Sequence, residues 1–239
     1  MQFVRLSIIP LLMALAACGQ SADPAPQPRE TAPVAANDDT PQIPVSGPER
    51  RILAFGDSLF AGYGVGTENS YPAKLETALR ARGIDARIVN AGVSGDTSSG
   101  GLARLDWAVG PGADAVIVEL GANDALRAID PQITRKNLFE IVARLKARGL
   151  PVLLAGMYAP PNLGRDYGDE FNPIFAELAE REGLVFYPFF LEGVASDPAL
   201  NLGDGIHPTA EGVAIIVERI LPDVEKLIER ARAKRSAAN

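Results

Sequence analysis

Residues 52–56 of the chain, Ile-Leu-Ala-Phe-Gly, constrain the fold more than any other stretch. An apolar run that ends at a glycine is typical of a buried strand stopped by a turn. The residue delivered just after that turn is Ser58. Because ligands bind outside the carboxyl ends of the strands in open α/β sheets, this serine is predicted to face a site.

Four further apolar segments, at 87–91, 115–120, 151–156 and 184–187, have the length of strands, and segments with helical periodicity lie between them. The continuous apolar run at 115–120 is typical of a parallel strand buried on both faces. Strands that alternate with helices predict a three-layer α/β/α fold with a five-stranded parallel sheet. We expect the common flavodoxin-like strand order 2-1-3-4-5.

Composition limits the classes of function. The chain has 239 residues, of which 47% are hydrophobic, and this suits one globular domain. A net charge of −7 makes the protein a poor ligand for polyanions, so we expect no nucleic-acid partner. One histidine and one cysteine leave no metal-ligand spacing, so neither a metal ion nor another cofactor is expected. We expect a monomer, although no sequence signal bears on oligomeric state.

The first 17 residues are predicted to be a signal peptide. Arg5 is followed by an apolar run at 6–17 that is too short to span a bilayer. Cys18 follows directly, and this arrangement resembles a bacterial lipoprotein box, in which the cysteine is lipidated. Since Gly19 rather than Asp comes next, the resemblance implies a periplasmic protein anchored to the outer membrane. The alternative is a plain signal peptide with an incidental cysteine.

The composition changes again after the cysteine. Residues 18–49 contain seven prolines and no apolar periodicity, which predicts a disordered tether. We therefore place the folded domain at 50–232 and expect a disordered tail at 233–239. The last helix of the domain is predicted to begin after Pro208 and to kink at Pro222.

Polar residues follow the predicted strands at several points. Ser58 follows the first strand, Gly95 the second and Asn123 the third, and Asp204 and His207 follow the fifth. Because the carboxyl ends of parallel strands share one edge, these residues can converge. Acyl transfer needs an attacking hydroxyl, an imidazole base, a carboxylate that orients it, and donors for an oxyanion. The backbone N–H groups of Ser58 and Gly95 and the amide of Asn123 are the available donors.

Four blocks occur in order at these positions: Gly56-Asp57-Ser58-Leu59, then 94–98 (Ser-Gly-Asp-Thr-Ser), 121–124 (Gly-Ala-Asn-Asp) and 204–208 (Asp-Gly-Ile-His-Pro). In these blocks the chain resembles the SGNH (or GDSL) hydrolases over residues 51 to about 221, and it is similar to their bacterial thioesterase, lysophospholipase and arylesterase branch.

The resemblance implies a serine esterase or thioesterase. It implies that Ser58 is the nucleophile of an acyl-enzyme, that Gly95 and Asn123 are oxyanion donors, and that Asp204 and His207 are the orienting carboxylate and the base. The substrate would be a small ester or thioester, including lysophospholipids.

Two departures from the family pattern are visible: position 122 is Ala where Gly is common, and Phe60 stands where a small polar residue is common. We expect Phe60, together with Leu126 and Tyr158 from two later loops, to shape the substrate pocket. Asp57, Asp96 and Asp124 are interpreted as turn residues whose carboxylates bond nearby backbone.

Two other functions remain open on sequence alone. A carbohydrate or peptidoglycan O-acetyl esterase would use the same residues. A flavodoxin-like small-molecule binding protein would need a phosphate loop, and the glycine-rich segment 61–66 lacks the G-x-G-x-x-G spacing.

Overall fold

The computed structural model describes residues 44–238, so Cys18, the predicted signal peptide and most of the predicted tether lie outside the described residues. Five strands form one sheet in which every neighbouring pair is parallel. The strand order is β2-β1-β3-β4-β5, which confirms the predicted order 2-1-3-4-5. The strands are β1 (Ser46–Gly56), β2 (Ile84–Gly92), β3 (Ala115–Glu119), β4 (Val152–Ala155) and β5 (Val185–Tyr187).

Helices cover the sheet on both sides, as the three-layer prediction requires. One group comprises α2 and α8, which pack against each other, and a second comprises α3, α5 and α7, joined through α5. The helices are α1 (Ser58–Ala61), α2 (Tyr71–Ala81), α3 (Ser98–Ala108), α4 (Ala122–Leu126), α5 (Pro131–Ala147), α6 (Arg165–Phe171), α7 (Pro173–Glu182) and α8 (Ala210–Ala238).

The core explains why these segments become parallel strands. All of β3 is buried, and so are residues 52–56 of β1. Ile52 of β1 lies in register with Ile88 of β2 on one side and Ala115 of β3 on the other. A strand buried on both faces and paired on both edges has few positions for polar side chains, which is why its sequence reads as a nearly continuous apolar run.

The first strand begins earlier than predicted, at Ser46, so residues 46–49 of the expected tether are extended chain. The Ser46 N–H donates to Gly83 O, and the register then shifts before Arg50. Gly47 in a left-handed conformation (φ 87°) and the following Pro48 are breaker signals that conceal this irregular start of the strand.

Helix boundaries differ from the predictions in two places. The expected disordered tail is wrong up to residue 238, because α8 continues through Pro222 to Ala238. Ala, Lys and Arg favour helix, and Arg235 donates to Asp114 Oδ1 at 2.6 Å. The helix predicted after β4 is two helices, α6 and α7. The break comes at Pro173, which has no N–H to continue the helical hydrogen bonds.

Within residues 44–238, we find no helix with an apolar stretch of the length needed to cross a membrane.

The segment after β5 packs against Gly156, the residue that follows β4, and leaves no room for a side chain there. Its N–H donates to Tyr187 O, and a Cβ there would lie 2.2 Å from the backbone oxygen of Pro188. We expect Gly156→Ala to lower the free energy of unfolding by about 1–3 kcal/mol, since overpacked backbone must move. Gly110→Ala, where a Cβ meets nothing within 4 Å, is the matched control. Equal urea midpoints for the two variants would contradict this account.

Candidate active site

Ser58 is positioned by the end of β1. The strand stops at Gly56, Asp57 caps the short helix α1 by accepting the Leu59 N–H at 2.9 Å, and Ser58 is the first residue of that helix. The capping bond fixes the turn, so the serine hydroxyl has a defined direction at the carboxyl edge of the sheet. The elements therefore deliver Ser58 where the sequence predicted it.

The structure brings Ser58, His207 and Asp204 together although 149 positions separate the serine from the histidine. The distance from Ser58 Oγ to His207 Nε2 is 2.9 Å, and that from His207 Nδ1 to Asp204 Oδ2 is 2.7 Å. An ionised Asp204 can only accept, so Nδ1 carries the ring proton and Nε2 presents its lone pair to the serine hydroxyl. This arrangement can remove a proton from Ser58.

The Asp204 carboxylate is held ionised by its own loop. Its Oδ1 accepts the backbone N–H groups of His207 (3.0 Å) and Ile206 (2.9 Å). These bonds, followed by the bond from the imidazole, lower the pKa of Asp204 to about 2. The carboxylate is therefore charged throughout the range in which an imidazole titrates.

Tyr63 is a residue that sequence reasoning missed. Its ring lies 4.3 Å from the His207 ring, centroid to centroid, at an interplanar angle of 36°. The contact restricts rotation of the imidazole about its Cβ–Cγ bond. Only the position of Tyr63 in the glycine-rich segment 61–66, five residues after the serine, could have suggested it.

The three predicted oxyanion donors lie at the start of α1 (Ser58), in the loop before α3 (Gly95) and in α4 (Asn123), and hydrogen bonds join these segments. Asn123 Nδ2 donates to Asp57 Oδ2 at 2.9 Å, next to Ser58. Arg127, directly after α4, donates to the carbonyl of Gly95 at 2.7 Å, and Gly95 has a φ of 83° that favours glycine. Within residues 44–238, the N–H groups of Ser58 and Gly95 find no acceptor, so both remain available to a ligand.

Arg104 ties the loop of Gly95 to the sheet. Its guanidinium donates to Gly56 O and Ala91 O, at 2.9 Å each, and to Asp96 Oδ2 at 2.5 Å. Asp96 is therefore the partner of an arginine rather than a turn former, and Thr97 caps α3. One planar cation thus connects the ends of two strands with the block that contains Gly95.

Asp124 joins the second and third family blocks. Its carboxylate is fully buried and accepts the N–H and the hydroxyl of Ser98, at 2.7 and 2.5 Å, and the hydroxyl of Thr134. Asn137 completes the group by donating to Ser98 Oγ. The interpretation of Asp124 as a simple turn residue was wrong, because its partners are distant in sequence.

Of the three predicted pocket residues, one lies in the core and two are exposed. Phe60 has no exposed surface and stacks on Tyr71 at 4.7 Å, so it belongs to the core and does not form a pocket wall. Leu126 and Tyr158 are exposed, at 47% and 51%, on the loops after β3 and β4. The sequence alone does not show that Phe60 lies on the buried face of the one-turn helix α1. Among residues 44–238, no three acidic, histidine or cysteine side chains are grouped to hold a metal ion.

Comparison with known proteins agrees with this geometry. The GDSL-like Lipase/Acylhydrolase family profile matches residues 54–215. An arylesterase of Vibrio mimicus is 38% identical over 177 residues, which are 74% of this chain and 88% of that protein. The thioesterase 1/protease 1/lysophospholipase L1 of Escherichia coli is 36% identical over 178 residues, 74% of this chain and 84% of that protein.

Solved structures give the same result. The crystal structure of AlinE4, an esterase of the SGNH-hydrolase family, superposes with a TM-score of 0.65 at 52% identity, over 76% of this chain and 97% of AlinE4. A parallel sheet with a serine, histidine and carboxylate at its carboxyl edge defines a class of serine hydrolases. The chain belongs to the GDSL-like lipase/acylhydrolase, or SGNH hydrolase, family. It is a hydrolase of carboxylic esters, and the alternative of a flavodoxin-like binding protein is excluded.

If Arg104 holds the Gly95 loop in place, a lysine cannot replace it, because an ammonium lacks the planar fork. We expect Arg104→Lys to lose about 1.5–3 kcal/mol of stability, the typical value of a hydrogen bond to a charged group, and to lower kcat for p-nitrophenyl butyrate. The control is Arg232→Lys on an exposed position of α8. If the two variants match in urea unfolding and in kcat, Arg104 does not have this role.

Proposed function

We propose that the protein hydrolyses aryl esters, short-to-medium acyl esters and acyl thioesters through an acyl-enzyme on Ser58. The observation that carries the proposal is the continuous hydrogen-bonded path from Ser58 Oγ through His207 to Asp204, at 2.9 and 2.7 Å. Both distances are within the range of strong hydrogen bonds, in an order that allows the imidazole to accept and later return a proton.

The first half of the reaction forms the acyl-enzyme. His207 Nε2 takes the hydroxyl proton as Ser58 Oγ bonds to the substrate's carbonyl carbon, and the carbonyl π electrons move onto its oxygen. When the oxyanion collapses, the bond to the alcohol or thiol breaks and His207 returns the proton to that leaving group. Asp204 stabilises the imidazolium formed in between.

The second half repeats these steps with water. His207 removes a proton from the water as its oxygen attacks the acyl carbon, and then returns it to Ser58 Oγ, which leaves as the free hydroxyl. In both halves the oxyanion accepts hydrogen bonds from the Ser58 and Gly95 N–H groups and the second hydrogen of the Asn123 amide. Such donors are already in place before charge develops, which is the main source of their effect.

An exposed apolar rim supports acyl or aryl substrates. Most of the large hydrophobic side chains that stand out from the surface belong to segments adjoining the site residues rather than to the rest of the domain. These are Tyr63, Val93, Leu126, Tyr158 and Ile206, each between 40% and 53% exposed. Because apolar and aromatic linings favour apolar ligands, the rim is better matched to an acyl chain than to a sugar. The names of the relatives, arylesterase and thioesterase/lysophospholipase, agree with this substrate class.

Covalent catalysis at Ser58 predicts a labelled residue. A fluorophosphonate should add one mass label to Ser58, and Ser58→Ala should lose the label and about 10⁴-fold or more in kcat across p-nitrophenyl esters from acetate to palmitate. Ser236→Ala, at an exposed position, is the control and should behave as wild type. Turnover by Ser58→Ala would refute the mechanism. A wild-type profile confined to acetyl esters would favour the O-acetyl esterase alternative.

We also propose that the native protein is a periplasmic lipoprotein anchored to the outer membrane through Cys18. The support is the sequence alone: small residues precede the chain's one cysteine after a short apolar run. The wild-type protein should partition into the detergent phase of a two-phase extraction and carry lipid by mass, whereas Cys18→Ser should do neither. A wild-type protein that is soluble and begins at another residue would contradict the proposal.

A further inference from the structure

A second acidic side chain lies directly behind the serine turn. Glu119 is the last residue of β3, in register with Gly56 of β1, and it is fully buried. Its Oε2 accepts the N–H of Asp57 at 3.3 Å, so two fully buried acidic residues are adjacent at the end of the sheet. A Cβ at position 56 would lie 2.8 Å from Glu119 Oε2, so the glycine makes room for this contact.

Two carboxyls this close and this buried share a proton. Burial raises the pKa of Glu119 well above its ordinary value, and the neighbouring Asp57 raises it further. Burial also raises the pKa of Asp57, to about 6, but the bonds from Leu59 N–H and the Asn123 amide oppose that rise. The proton therefore resides on Glu119 near neutral pH, and Asp57 is the ionised member of the pair.

The surroundings do not supply another donor to Glu119. Among residues 44–238 the buried Oε1 has no hydrogen-bond partner, and a buried carboxyl oxygen that receives no hydrogen bond favours the protonated, neutral form. Three other titratable groups face the pair. Tyr71 of α2 lies near Glu119, with Tyr187 of β5 beside it. The charge of His207 favours the ionised form of Asp57 and so lowers its pKa. Within the described part of the chain, the buried hydroxyls of both tyrosines have no hydrogen-bond partner. Arg104 is directed at backbone carbonyls and at Asp96.

The charge of Asp57 decides which end of the Asn123 amide faces it. An ionised carboxylate only accepts, so the NH₂ end must point at Asp57 Oδ2, as observed at 2.9 Å, and its second hydrogen remains for a ligand. A protonated Asp57 could instead donate to the amide oxygen. That arrangement would stabilise the flipped amide, which offers a carbonyl where the oxyanion needs a donor.

We propose that Glu119 is a positioning residue: it retains the proton of the buried acid pair, keeps Asp57 anionic, and so fixes the Asn123 amide as an oxyanion donor. The inference rests on the role that the proposed function gives to Asn123. Glu119 itself contacts no substrate and acts through Asp57.

The test compares two replacements that differ in one property. Glu119→Gln keeps a donor to Asp57 and an acceptor for its N–H, whereas Glu119→Met has a similar length and neither. We expect the Gln variant to keep the wild-type kcat and the wild-type acid limb, which is the fall of kcat at low pH in the pH–rate profile. We expect Met to lower kcat by about 10-fold or more, up to the roughly 10²-fold of a deleted oxyanion donor, with little change in KM. Its acid limb should move to higher pH, because Asp57 without a donor protonates more readily.

Glu218→Met on the exposed face of α8 controls for the loss of a glutamate. Equal kcat values for the Gln and Met variants, whether both high or both low, would overturn the proposal, and so would a Met variant with an unmoved acid limb.

A double variant tests whether Glu119 acts through Asn123. In an Asn123→Ala background, Glu119→Met should cause no additional loss of kcat, because the group it positions is gone. Additive losses would mean that Glu119 serves the fold instead. Asn123→Ala alone should lose about 10²–10³-fold in kcat. If it does not, the oxyanion assignment itself fails, whereas a normal loss in Asn123→Ala with additive doubles rejects only the inference about Glu119.

Thermal unfolding tests whether Glu119 is protonated in the folded protein, and it needs neither an activity assay nor the Met variant. A carboxyl whose pKa is raised in the folded state stabilises most below its unfolded value, 4.5 for Glu, and loses that contribution as pH rises. Glutamine has no such loss. The Tm of Glu119→Gln relative to wild type should therefore increase between about pH 4.5 and neutrality. A difference that stays constant would show that Glu119 is already ionised in the folded protein, contrary to the proposal.

Discussion

The register of β1 against its two neighbours is the constraint on which the rest of the structure depends. Gly56 lies level with Gly92 of β2 on one side and Glu119 of β3 on the other. Because the three strands are parallel and end together, the loops that carry the serine, the glycine donor and the asparagine start from one edge. A slip of one residue would turn every side chain of a strand to the opposite face and would separate these loops.

Buried polar groups convert this shared edge into a fixed geometry. The buried Asp57 and Asp124 and the partly buried Arg104 each bond partners from a different part of the chain, so the serine turn, the Gly95 loop and the Asn123 segment are joined pairwise. Buried groups of this kind are costly unless every member is satisfied, and they therefore allow few alternative arrangements. The same property is what oxyanion stabilisation requires, since donors that must reorganise during reaction contribute less.

Much of this could be predicted from the sequence, for identifiable reasons. The apolar runs at 52–55 and 115–120 predict parallel strands because burial on both faces leaves few positions for polar side chains, with Glu119 as the exception. Ser58, Asn123 and His207 follow from their places after those strands. The errors have equally physical causes. Phe60 was assigned to the pocket because a sequence does not tell which side of a one-turn helix meets the core.

The other limit on prediction from the sequence is that it does not reveal hydrogen-bond partners that are distant along the chain. Aspartates such as Asp57, Asp96 and Asp124 are common in turns, but only Asp57 makes the expected short-range bond, from the Leu59 N–H. Their distant partners, Asn123, Thr134 and Arg104, depend on which loops the fold brings together. Glu119 was absorbed into an apolar strand for the same reason, since its neighbour across the sheet lies 62 positions away.

The base and its carboxylate come from one short loop, so the proton-transfer pair and the substrate-binding loops can change independently during evolution. Backbone bonds within 201–208, including Leu202 N–H to His207 O at 2.7 Å, hold Asp204 and His207 as one unit. Only the approach of that unit to Ser58 depends on the wider fold. Sequence drift in the loops that carry Leu126 and Tyr158 can therefore reshape substrate preference while the proton-transfer pair is inherited intact, so one scaffold can give rise to enzymes of different selectivity.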